Sequence, residues 1–340
     1  SPRLVEVGRH LNIEILTESE VMNLVGAAGR FTATVRARPR YVDKASCNGC
    51  GECAEVCPER FPSRFDEGLS EQPAAHRLYP QATPDAYAIE KRGIAPCRDA
   101  CPAGQRAQGY ISLIRDGRID DAYRTIVEDN PFPAVCGRIC DHRCEIACSR
   151  TKVDEPVNIR GLKRFVTDTV YARPRIAPEP VPRRREERVA IIGAGPCGLT
   201  AAQDLCRAGY GVTVFEALPV AGGMLRVGVP EFRLPGSIID REVQDILDLG
   251  VELRLNAPVA RLDDLFDDGF KAVLIAVGAH EGVRLPIPGN DLDGVLINTR
   301  FLRDVRLAER GGPNAPDPRA DIAGRRVLVV GGGDVAVDVA

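Results

Sequence analysis

The sequence predicts an α/β domain with a parallel sheet, and it places a cysteine-rich region with helical patterns before that domain. Three observations predict this order. The β-rich run Arg188–Ile192 leads into a glycine loop, a helical stretch and a second strand. Four cysteines fall within residues 47–57, and six more lie within residues 97–148 among amphipathic helical stretches. The chain therefore combines a sheet that can bind a ligand at a glycine loop with two groups of thiols.

Composition places the chain among ordinary globular proteins. It has 340 residues, of which 44% are hydrophobic and 27% are charged, and that size accommodates two or three domains. The net charge of −3 gives no electrostatic reason to expect nucleic-acid binding. Without a run of about 18 apolar residues we expect no membrane span. The chain has twelve cysteines, and the metal-ligand spacing of ten of them favours a reducing, cytoplasmic setting.

The two ends of the chain suggest a piece of a longer protein. The chain begins at Ser1 rather than at a methionine, and it stops at Ala340 inside a helical pattern. We therefore expect an internal fragment of a longer chain.

The first 41 residues read as a short helical start followed by strands. We expect a strand near residues 13–16 and a hairpin whose arms, residues 21–25 and 30–38, are joined by a glycine-bounded turn. Apolar residues alternate with polar residues along the second arm, which predicts a half-buried strand.

The first group of cysteines has the spacing C-x2-C-x2-C-x3-C-P. One short loop then presents four thiolates around a volume the size of an iron–sulfur cube, so a 4Fe–4S cluster is predicted. Zinc is the alternative, but structural zinc sites usually combine two C-x2-C pairs that are well separated in sequence. Disulfides between residues this close would be strained. The predicted ligands are Cys47, Cys50, Cys53 and Cys57.

The second group of cysteines lies in a region of helical periodicity. Two helices are predicted over residues 105–116 and 118–129, and the prolines in residues 130–133 end the second. The thiols that follow recur every four residues and would drift around one ideal helix, so we predict a segment folded around a metal centre. Buried structural thiols are the alternative. The candidate ligands are Cys97, Cys101, Cys136, Cys140, Cys144 and Cys148.

The glycine loop after Arg188–Ile192 has the pattern G-x-G-x-x-G within a strand–loop–helix–strand unit. The second strand, Gly211–Phe215, ends at Glu216, whose carboxylate is placed to accept hydrogen bonds from an adenosine ribose. The glycines permit a tight turn and close approach of a pyrophosphate, which the helix N-terminus faces. This unit predicts a Rossmann-type dinucleotide site. Its loop consists of Gly193, Ala194, Gly195, Pro196, Cys197 and Gly198.

Further residues belong to this predicted dinucleotide domain. Residues 272–276 read as a buried return strand ahead of Gly278. Cys197 and Cys206 lie in the first helix and are interpreted as small core residues. They are separated along the helix and no C-x2-C pair lies near them, which argues against a dithiol mechanism of the thioredoxin-reductase type.

A second, shorter motif ends the chain. Residues 327–330 are predicted to form a strand, and Gly331, Gly333 and Ala336 give the pattern G-x-G-x-x-A after it. Following a complete first unit, this motif indicates a second dinucleotide site, as in a flavoprotein that also binds a nicotinamide cofactor. The pattern leaves NAD and NADP open.

Most of the chain resembles known families. From residue 97 onward it is similar to the small subunit of glutamate synthase and to the matching half of dihydropyrimidine dehydrogenase. Residues 1–96, above all 1–10 and 41–58, resemble the family of the A-type subunit of heterodisulfide reductase. The first resemblance rests on Asn130-Pro131, Cys136-Gly137-Arg138, the glycine loop, Gly222-Gly223-Met224 and Phe232-Arg233-Leu234-Pro235.

The resemblance implies two nested nucleotide domains after residue 188, of the glutathione-reductase type, with FAD in the first and NAD(P)H in the second. It places FAD against the glycine loop, the segment 216–224 and Arg233, and it makes residues 97–171 an α-helical ferredoxin domain. It further implies that upstream sequence holds another flavin glycine loop, of which residues 1–40 are the remainder. The flavin residues carried over beyond the glycine loop are Glu216, Gly222, Gly223, Met224 and Arg233.

The chain departs from these relatives in the helical domain. Relatives with two clusters there carry an extra cysteine pair upstream of the position of Cys97, and residues 87–96 have none. Some also supply glutamine or glutamate where this chain has Lys163 or Arg164. Six cysteines suffice for one further cluster, so we expect two clusters in the chain, and a third only with ligands from elsewhere. The ligands that the resemblance supports best are Cys101, Cys140 and Cys144.

These patterns divide the chain into six consecutive regions. They are a remnant of an upstream flavoprotein domain, a ferredoxin-type 4Fe–4S segment, the α-helical ferredoxin domain, an extended linker, the FAD-binding domain and the start of an NAD(P)-binding domain. The corresponding residues are 1–41, 42–96, 97–171, 172–187, 188–325 and 326–340.

Flavin, nicotinamide and cluster motifs on one chain predict an iron–sulfur flavoprotein oxidoreductase. Electrons would pass between NAD(P)H, FAD and 4Fe–4S clusters and on to a partner protein or subunit. The alternative is a non-catalytic relay and assembly subunit of a heterodisulfide-reductase-like or flavin-bifurcating complex. No Ser-His-Asp or paired-carboxylate arrangement is recognisable from spacing, so no catalytic side chain is assigned.

Overall fold

The structure is a computed structural model that describes residues 2–311 and 316–340. Short helices and strands build its first part, and longer helices with a parallel sheet build its second. Within the described residues no helix combines the length and the apolar character that crossing a bilayer requires.

The chain divides into two compact units. The first comprises the described residues up to Asp99 together with Ile146–Val157, and the second comprises Ala100–Glu145 and the described residues from Asn158 onward. The predicted helical domain, residues 97–171, contributes to both units.

The first unit is built from short elements. These are α1 (Pro2–Arg9), β1 (Ser19–Ala27), β2 (Arg30–Ala37), α2 (Glu52–Glu55), β3 (Arg60–Pro62), β4 (Glu71–Pro73), β5 (Ala75–His76), β6 (Ala88–Ile89), α3 (Pro96–Asp99) and the 3-10 turn Ser149–Lys152. Its described strands pair antiparallel as β1 with β2, β3 with β4 and β5 with β6. Two-stranded sheets are marginally stable alone. So little regular structure is typical of small domains that a metal site holds together.

The predicted hairpin is confirmed as β1–β2, but two expectations about this region are wrong. The turn is only the two residues between Ala27 and Arg30. Every residue of β2 is exposed, including Phe31 and Val35, because no described element covers either face of the hairpin. Residues 13–16 form no strand, since their backbone groups join no ladder.

The elements that follow build the second unit. They are α4 (Ala107–Arg115), α5 (Ile119–Asp129), α6 (Pro133–Ile139), α7 (Arg143–Ile146), α8 (Ile159–Tyr171), β7 (Arg188–Ile192), α9 (Pro196–Arg207), β8 (Gly211–Phe215), α10 (Met224–Val227), α11 (Gly236–Asp248), β9 (Glu252–Arg254), α12 (Leu262–Asp267), β10 (Ala272–Ile275), α13 (Asn298–Ala308), α14 (Arg319–Ile322) and α15 (Asp334–Val339).

Four parallel strands in the order β10-β7-β8-β9 form the sheet of the second unit. Val189 of β7 pairs with Ala272 on one side and with Val212 on the other. The chain leaves β7 toward β8 and returns on the opposite side as β10, so a crevice opens at the carboxyl ends of β7 and β10. The sheet confirms the predicted α/β fold.

Apolar groups cover both faces of this sheet. On one face Ile191 packs with Leu199 of α9 and Ile246 of α11, and all three are fully buried. On the other face Phe215 meets Phe270 edge-on, with 5.8 Å between the ring centroids. Parallel strands need cover on both faces, and burial stabilises the sheet by roughly 25 cal/mol per Å² of apolar surface.

The cysteine string is not one helix, as its spacing predicts. Helix α5 ends at Asp129, and the next residue, Asn130, is extended. Helix α6 ends at Ile139, the next residue, Cys140, has an extended backbone, and α7 begins only at Arg143. The break at Cys140 redirects the chain, so the thiols from Cys136 to Cys148 do not follow a single helix surface.

The predicted strand at residues 327–330 does not form. Val327, Leu328 and Val330 are exposed, and no described strand lies beside them to complete a ladder. A parallel strand has no local partner and needs a neighbour from a distant part of the chain. Helix α15 nevertheless begins directly after the glycines, at Asp334.

A pair of glycine substitutions tests how tightly α6 packs on α8. A Cβ at Gly137 would lie 3.0 Å from the Cα of Arg164, whereas a Cβ at Gly109 in α4 would meet nothing closer than 3.8 Å. We expect Gly137→Ala to lower stability by about 2 kcal/mol through overpacking. We expect Gly109→Ala to be neutral or stabilising by about 0.5 kcal/mol. Urea unfolding followed by far-UV circular dichroism measures both, and equal midpoints for the two variants would contradict this packing.

Candidate functional site

The first cysteine group lies in a loop that supplies hydrogen-bond donors to thiolates. Backbone N–H groups of Tyr87 and Gly49 lower the pKa of the Cys47 thiol, because they stabilise its charged form. Burial, and then the charges of Cys50 and Cys47, raise the pKa of Cys53. The three thiols are therefore close enough to interact, as ligands of one multi-iron cluster must be.

The fourth predicted ligand, Cys57, follows α2, and its thiol donates to the carbonyl oxygen of Glu59 at 3.5 Å. The Glu59 carboxylate also binds the ammonium group of Lys152 at 2.7 Å, which lowers the pKa of Glu59. Lys152 belongs to the segment Ile146–Val157 of the same unit. This ion pair therefore fixes that segment beside the first cysteine group.

The described residues include all twelve cysteines, and no disulfide joins any two of them. Within the same residues, no three His, Cys, Asp or Glu side chains are grouped as ligands of a single metal ion. A 4Fe–4S cluster makes a different demand, because each thiolate binds its own iron at a different corner of a cube. The interactions among the thiols are compatible with that arrangement.

The second cysteine group is divided between the two units. Burial raises the pKa of Cys144 to about 11, the charge of Lys163 opposes the shift, and the charges of Cys101 and Cys140 reinforce it. Cys136 interacts with Cys140 in the same way. The second unit thus brings together Cys101, Cys136, Cys140 and Cys144, while Cys97 and Cys148 belong to the first unit.

Two donors surround the thiols of the second unit with positive potential. Lys163 of α8 is buried, and its charge opposes the effect of burial on the pKa of Cys136 and of Cys144. The backbone N–H of His142 donates to the Cys140 sulfur at 3.4 Å. Both features stabilise thiolates, the form in which cysteine binds metals.

The dinucleotide site is a cavity of about 640 Å³ at the carboxyl ends of β7, β8 and β10. Its volume is typical of small-molecule sites, and it occupies the crevice where the strand order reverses direction. The predicted flavin residues that line it are Gly193, Gly195, Pro196, Cys197, Glu216, Gly223, Met224 and Gly278.

Steric exclusion shapes the loop between β7 and α9. Gly193 has φ 107°, and a Cβ there would lie 2.3 Å from the carbonyl oxygen of Ala276. A Cβ at Gly198 would lie 2.0 Å from the carbonyl oxygen of Gly193, so only glycine lets α9 approach β7. Gly195 differs, because a Cβ there would meet nothing closer than the Cα of Gly223 at 3.8 Å. Gly195 therefore leaves open space beside the cavity.

The N-terminus of α9 opens onto the cavity. Gly195 is its N-cap and makes no side-chain cap. Pro196 occupies the first turn, where a missing N–H costs nothing. The other N–H groups of that turn and the helix dipole favour a negatively charged ligand such as a pyrophosphate.

Glu216 joins the two loops that form the cavity wall. Its carboxylate, at the end of β8, accepts hydrogen bonds from the backbone N–H groups of Ala194 and Leu218 at 2.7 and 2.9 Å. The N–H of Gly222 donates to the carbonyl oxygen of Ala194 at 2.8 Å, which holds the loop after β8 against the loop between β7 and α9. Each carboxylate oxygen keeps a lone pair for a ligand hydroxyl.

Other predicted flavin and nicotinamide residues lie outside this cavity. Arg233 binds the carboxylate of Asp338 in α15 at 2.8 Å, and that carboxylate is only 7% exposed. The second motif leads into the same helix, with Gly333 as its N-cap. The structure therefore links Arg233 to the helix of the second motif. The remaining predicted residues outside the cavity lining are Ala194, Gly198, Gly222, Gly331 and Ala336.

One prediction about the first helix is wrong. Cys206 is buried as expected, and its thiol donates to the carbonyl oxygen of Leu249 at 3.2 Å. Cys197 is exposed instead of being a core residue, because the first turn of α9 faces the cavity.

Sequence reasoning missed several residues of the cavity wall. Val259, His280 and Arg303 line it but belong to no motif. His280 comes shortly after the return strand β10, and only that position in the sequence could have predicted that it lines the cavity. Arg303 comes from α13, far along the chain, and no local pattern marks it.

Replacement of one predicted iron ligand tests the first cysteine group. We expect Cys53→Ser to remove about four iron atoms per chain, because the cluster depends on four thiolates. Iron and acid-labile sulfide analysis of anaerobically purified protein measures the loss. Cys206→Ser is the matched control, since Cys206 is buried in α9 and belongs to neither cysteine group. Equal iron content in the two variants would remove Cys53 from the ligand set.

A methyl group at the glycine loop tests the dinucleotide cavity without disturbing the fold. Gly195 has φ −80° and space for a Cβ, so Gly195→Ala should fold normally. The added methyl group occupies the space next to the helix N-terminus, and we expect flavin content to fall at least tenfold. Flavin absorbance after gel filtration, compared with Gly109→Ala, measures the effect. Full flavin content in Gly195→Ala would contradict this placement.

Three protein families match the chain. The family described as dihydropyrimidine dehydrogenase domain II, 4Fe–4S cluster, matches residues 81–174. The pyridine nucleotide-disulphide oxidoreductase family matches residues 187–340. The 4Fe–4S binding domain family matches residues 40–63. The matched regions contain the two cysteine groups and the dinucleotide cavity.

Named relatives share these regions. The NADP(+)-dependent formate dehydrogenase subunit beta of Moorella thermoacetica is 41% identical over 272 residues, which cover 72% of this chain and 37% of the relative. The NAD-dependent dihydropyrimidine dehydrogenase subunit PreT of Salmonella typhimurium is 38% identical, with coverages of 72% and 58%. The glutamate synthase [NADPH] small chain of Mycobacterium tuberculosis is 35% identical, with coverages of 72% and 51%.

These matches confirm the resemblance to the glutamate synthase small subunit and to dihydropyrimidine dehydrogenase. The chain spans between 37% and 58% of the length of the three relatives. It contains 4Fe–4S ferredoxin domains and a pyridine nucleotide-disulphide oxidoreductase domain with a parallel sheet.

Proposed function

We propose that this chain is part of an iron–sulfur flavoprotein oxidoreductase that passes electrons between NAD(P)H, FAD and 4Fe–4S clusters to a partner protein or subunit. The observation that carries the proposal is the cavity at the carboxyl ends of β7 and β10, on the same chain as two groups of interacting thiols. A flavin accepts an electron pair from a nicotinamide and releases electrons singly, which is the link that these sites need.

The residues of the cavity fit FAD. The N–H groups in the first turn of α9 would bind the pyrophosphate, and the open side of Gly195 leaves room for it. Glu216 would accept a hydrogen bond from an adenosine ribose hydroxyl in addition to its two backbone donors. Gly223 and Met224 would form the wall beside the flavin. We infer an arrangement of the glutathione-reductase type from the order of these features.

The thiols would hold the iron. One cluster would be bound in the first unit, and a second would be bound in the second unit beside Lys163. Cys97 and Cys148 are then left over from the second group. The proposed ligands are Cys47, Cys50, Cys53 and Cys57 for the first cluster and Cys101, Cys136, Cys140 and Cys144 for the second.

The second glycine motif would begin the nicotinamide-binding domain. The ion pair between Arg233 and Asp338 joins the loop after the flavin motif to the helix of that motif. We infer that Arg233 fixes the position of the second dinucleotide motif relative to the first. The residues proposed to bind NAD(P)H are Gly331, Gly333 and Ala336.

A partner subunit is supported by the names of the relatives, two of which are called subunits and one a small chain. We infer that this chain also delivers electrons within a complex. The resemblance of residues 1–96 to the A-type subunit of heterodisulfide reductase supports an alternative, in which the chain only relays electrons that another subunit has taken from the donor. Cysteines spaced as metal ligands fit a reducing compartment such as the cytoplasm.

Anaerobic reduction of the full-length protein separates these two functions. We expect NADH or NADPH to bleach the flavin absorbance and then to reduce the clusters, observed by electron paramagnetic resonance, because one chain holds both kinds of site. Gly195→Ala, which lacks the space for FAD, should leave the clusters oxidised with the nucleotide but reducible by dithionite. A flavin that neither nucleotide bleaches would refute the proposal and favour the relay.

A further inference from the structure

We propose that Glu242, a buried carboxyl on α11, is a positioning residue for electron transfer between the flavin cavity and the cysteines of α6. The inference rests on the proposed function and adds a residue that no motif marks. Glu242 is 1% exposed and lies on the helix that follows the flavin loop. Cys136 lies within α6, and Cys140 ends it.

The N-terminus of α6 depends on Glu242. A helix begins with backbone N–H groups that lack intrahelical acceptors. The N-cap of α6 is Phe132, whose side chain accepts no hydrogen bond, and its own N–H donates to Asn130 at 2.9 Å. The first helical residue is a proline without an N–H. The next two N–H groups, those of Ala134 and Val135, donate to the two carboxyl oxygens of Glu242 at 2.5 and 3.3 Å.

The same carboxyl joins three helices. The hydroxyl of Tyr171 in α8 donates to Glu242 at 3.1 Å, so α6, α8 and α11 meet at one buried group. Burial raises the pKa of Glu242 to about 8, although its hydrogen bonds to Ala134, Val135 and Tyr171 oppose the shift. A buried polar group is costly unless it is fully hydrogen-bonded, and then it specifies one arrangement of its neighbours.

Removal of the Glu242 carboxyl is expected to move the thiol of Cys136. A Cβ at Gly137 would lie 3.0 Å from the Cα of Arg164, so α6 already packs closely on α8 at this position. Without Glu242 the two N–H groups of the first turn would have to find other acceptors, and the turn would shift. Cys136 follows that turn directly. Electron transfer depends on the positions of its carriers, so a shifted Cys136 thiol would slow reduction of the cluster.

Asp245 provides a matched control on the same helix. It lies close to Glu242 on α11, but its carboxylate binds the guanidinium of Arg175 at 2.6 Å instead of the backbone of α6. Asp245→Asn therefore removes one negative charge from α11 and leaves the hydrogen bonds of Glu242 in place.

The experiment compares Glu242→Gln, Glu242→Ala and Asp245→Asn in the full-length protein with FAD and iron bound. Anaerobic stopped-flow mixing with NADH or NADPH reports flavin bleaching, and rapid freezing for electron paramagnetic resonance reports cluster reduction. We expect flavin bleaching to stay within about twofold in all variants, while cluster reduction slows about tenfold or more in Glu242→Ala. Glu242→Gln should show a smaller effect, because its carbonyl oxygen can still accept one N–H. Asp245→Asn should match the parent.

Two failures are distinguishable. Cluster reduction at the parent rate in both Glu242 variants would overturn the positioning role and leave the proposed function intact. A parent flavin that neither nucleotide bleaches would refute the proposed function, and dithionite-reduced samples would then test Glu242 alone. A cluster spectrum that changes in Glu242→Gln but not in Asp245→Asn would uphold the positioning role, and identical spectra would overturn it.

Discussion

The second unit depends on one steric constraint, the absence of side chains where α9 meets β7. Any Cβ at Gly198 would overlap the carbonyl oxygen of Gly193, so the helix reaches the strand only because residue 198 is glycine. That contact brings the N-terminus of α9 to the carboxyl edge of the sheet. It also places Ala194 where its N–H meets Glu216 and its carbonyl oxygen meets Gly222. The position of the cavity and of its walls depends on this close contact between the backbones of α9 and β7.

Acidic side chains of α11 then attach the cysteine-bearing helices to the sheet. Surface ion pairs contribute little to stability, but a buried donor or acceptor that loses its hydrogen-bond partner is costly. Two acidic residues of α11 contact different parts of the chain. Glu242 caps α6, and Asp245 binds Arg175 of the linker. Phe132 and Val135 of the capped region also join the hydrophobic core beneath the sheet. Residues before and after the linker therefore share one core.

Local patterns predicted the local structure well. Strands β7 and β8 have the predicted bounds, because apolar runs and flanking glycines specify them without help from distant residues. The errors concern neighbours that a local pattern does not contain. Residues 327–330 have strand character but no described partner, and the apolar residues of β2 have no covering layer among the described elements. Cys197 has the right size for a core residue, but the turn that carries it faces the cavity.

The same limit separates the ligands of a site from the groups that hold them in place. Cysteine spacing marks the thiols, because several ligands of one cluster come from a short segment, but the cap of α6 comes from Glu242, 108 residues after Ala134. No periodicity connects those two positions. The sequence also predicted a linker between separate domains, whereas Ala100–Glu145 and the described residues from Asn158 onward form one compact unit. If electrons pass from the flavin cavity to the thiols of α6, they cross a shared core whose geometry is fixed by buried hydrogen bonds.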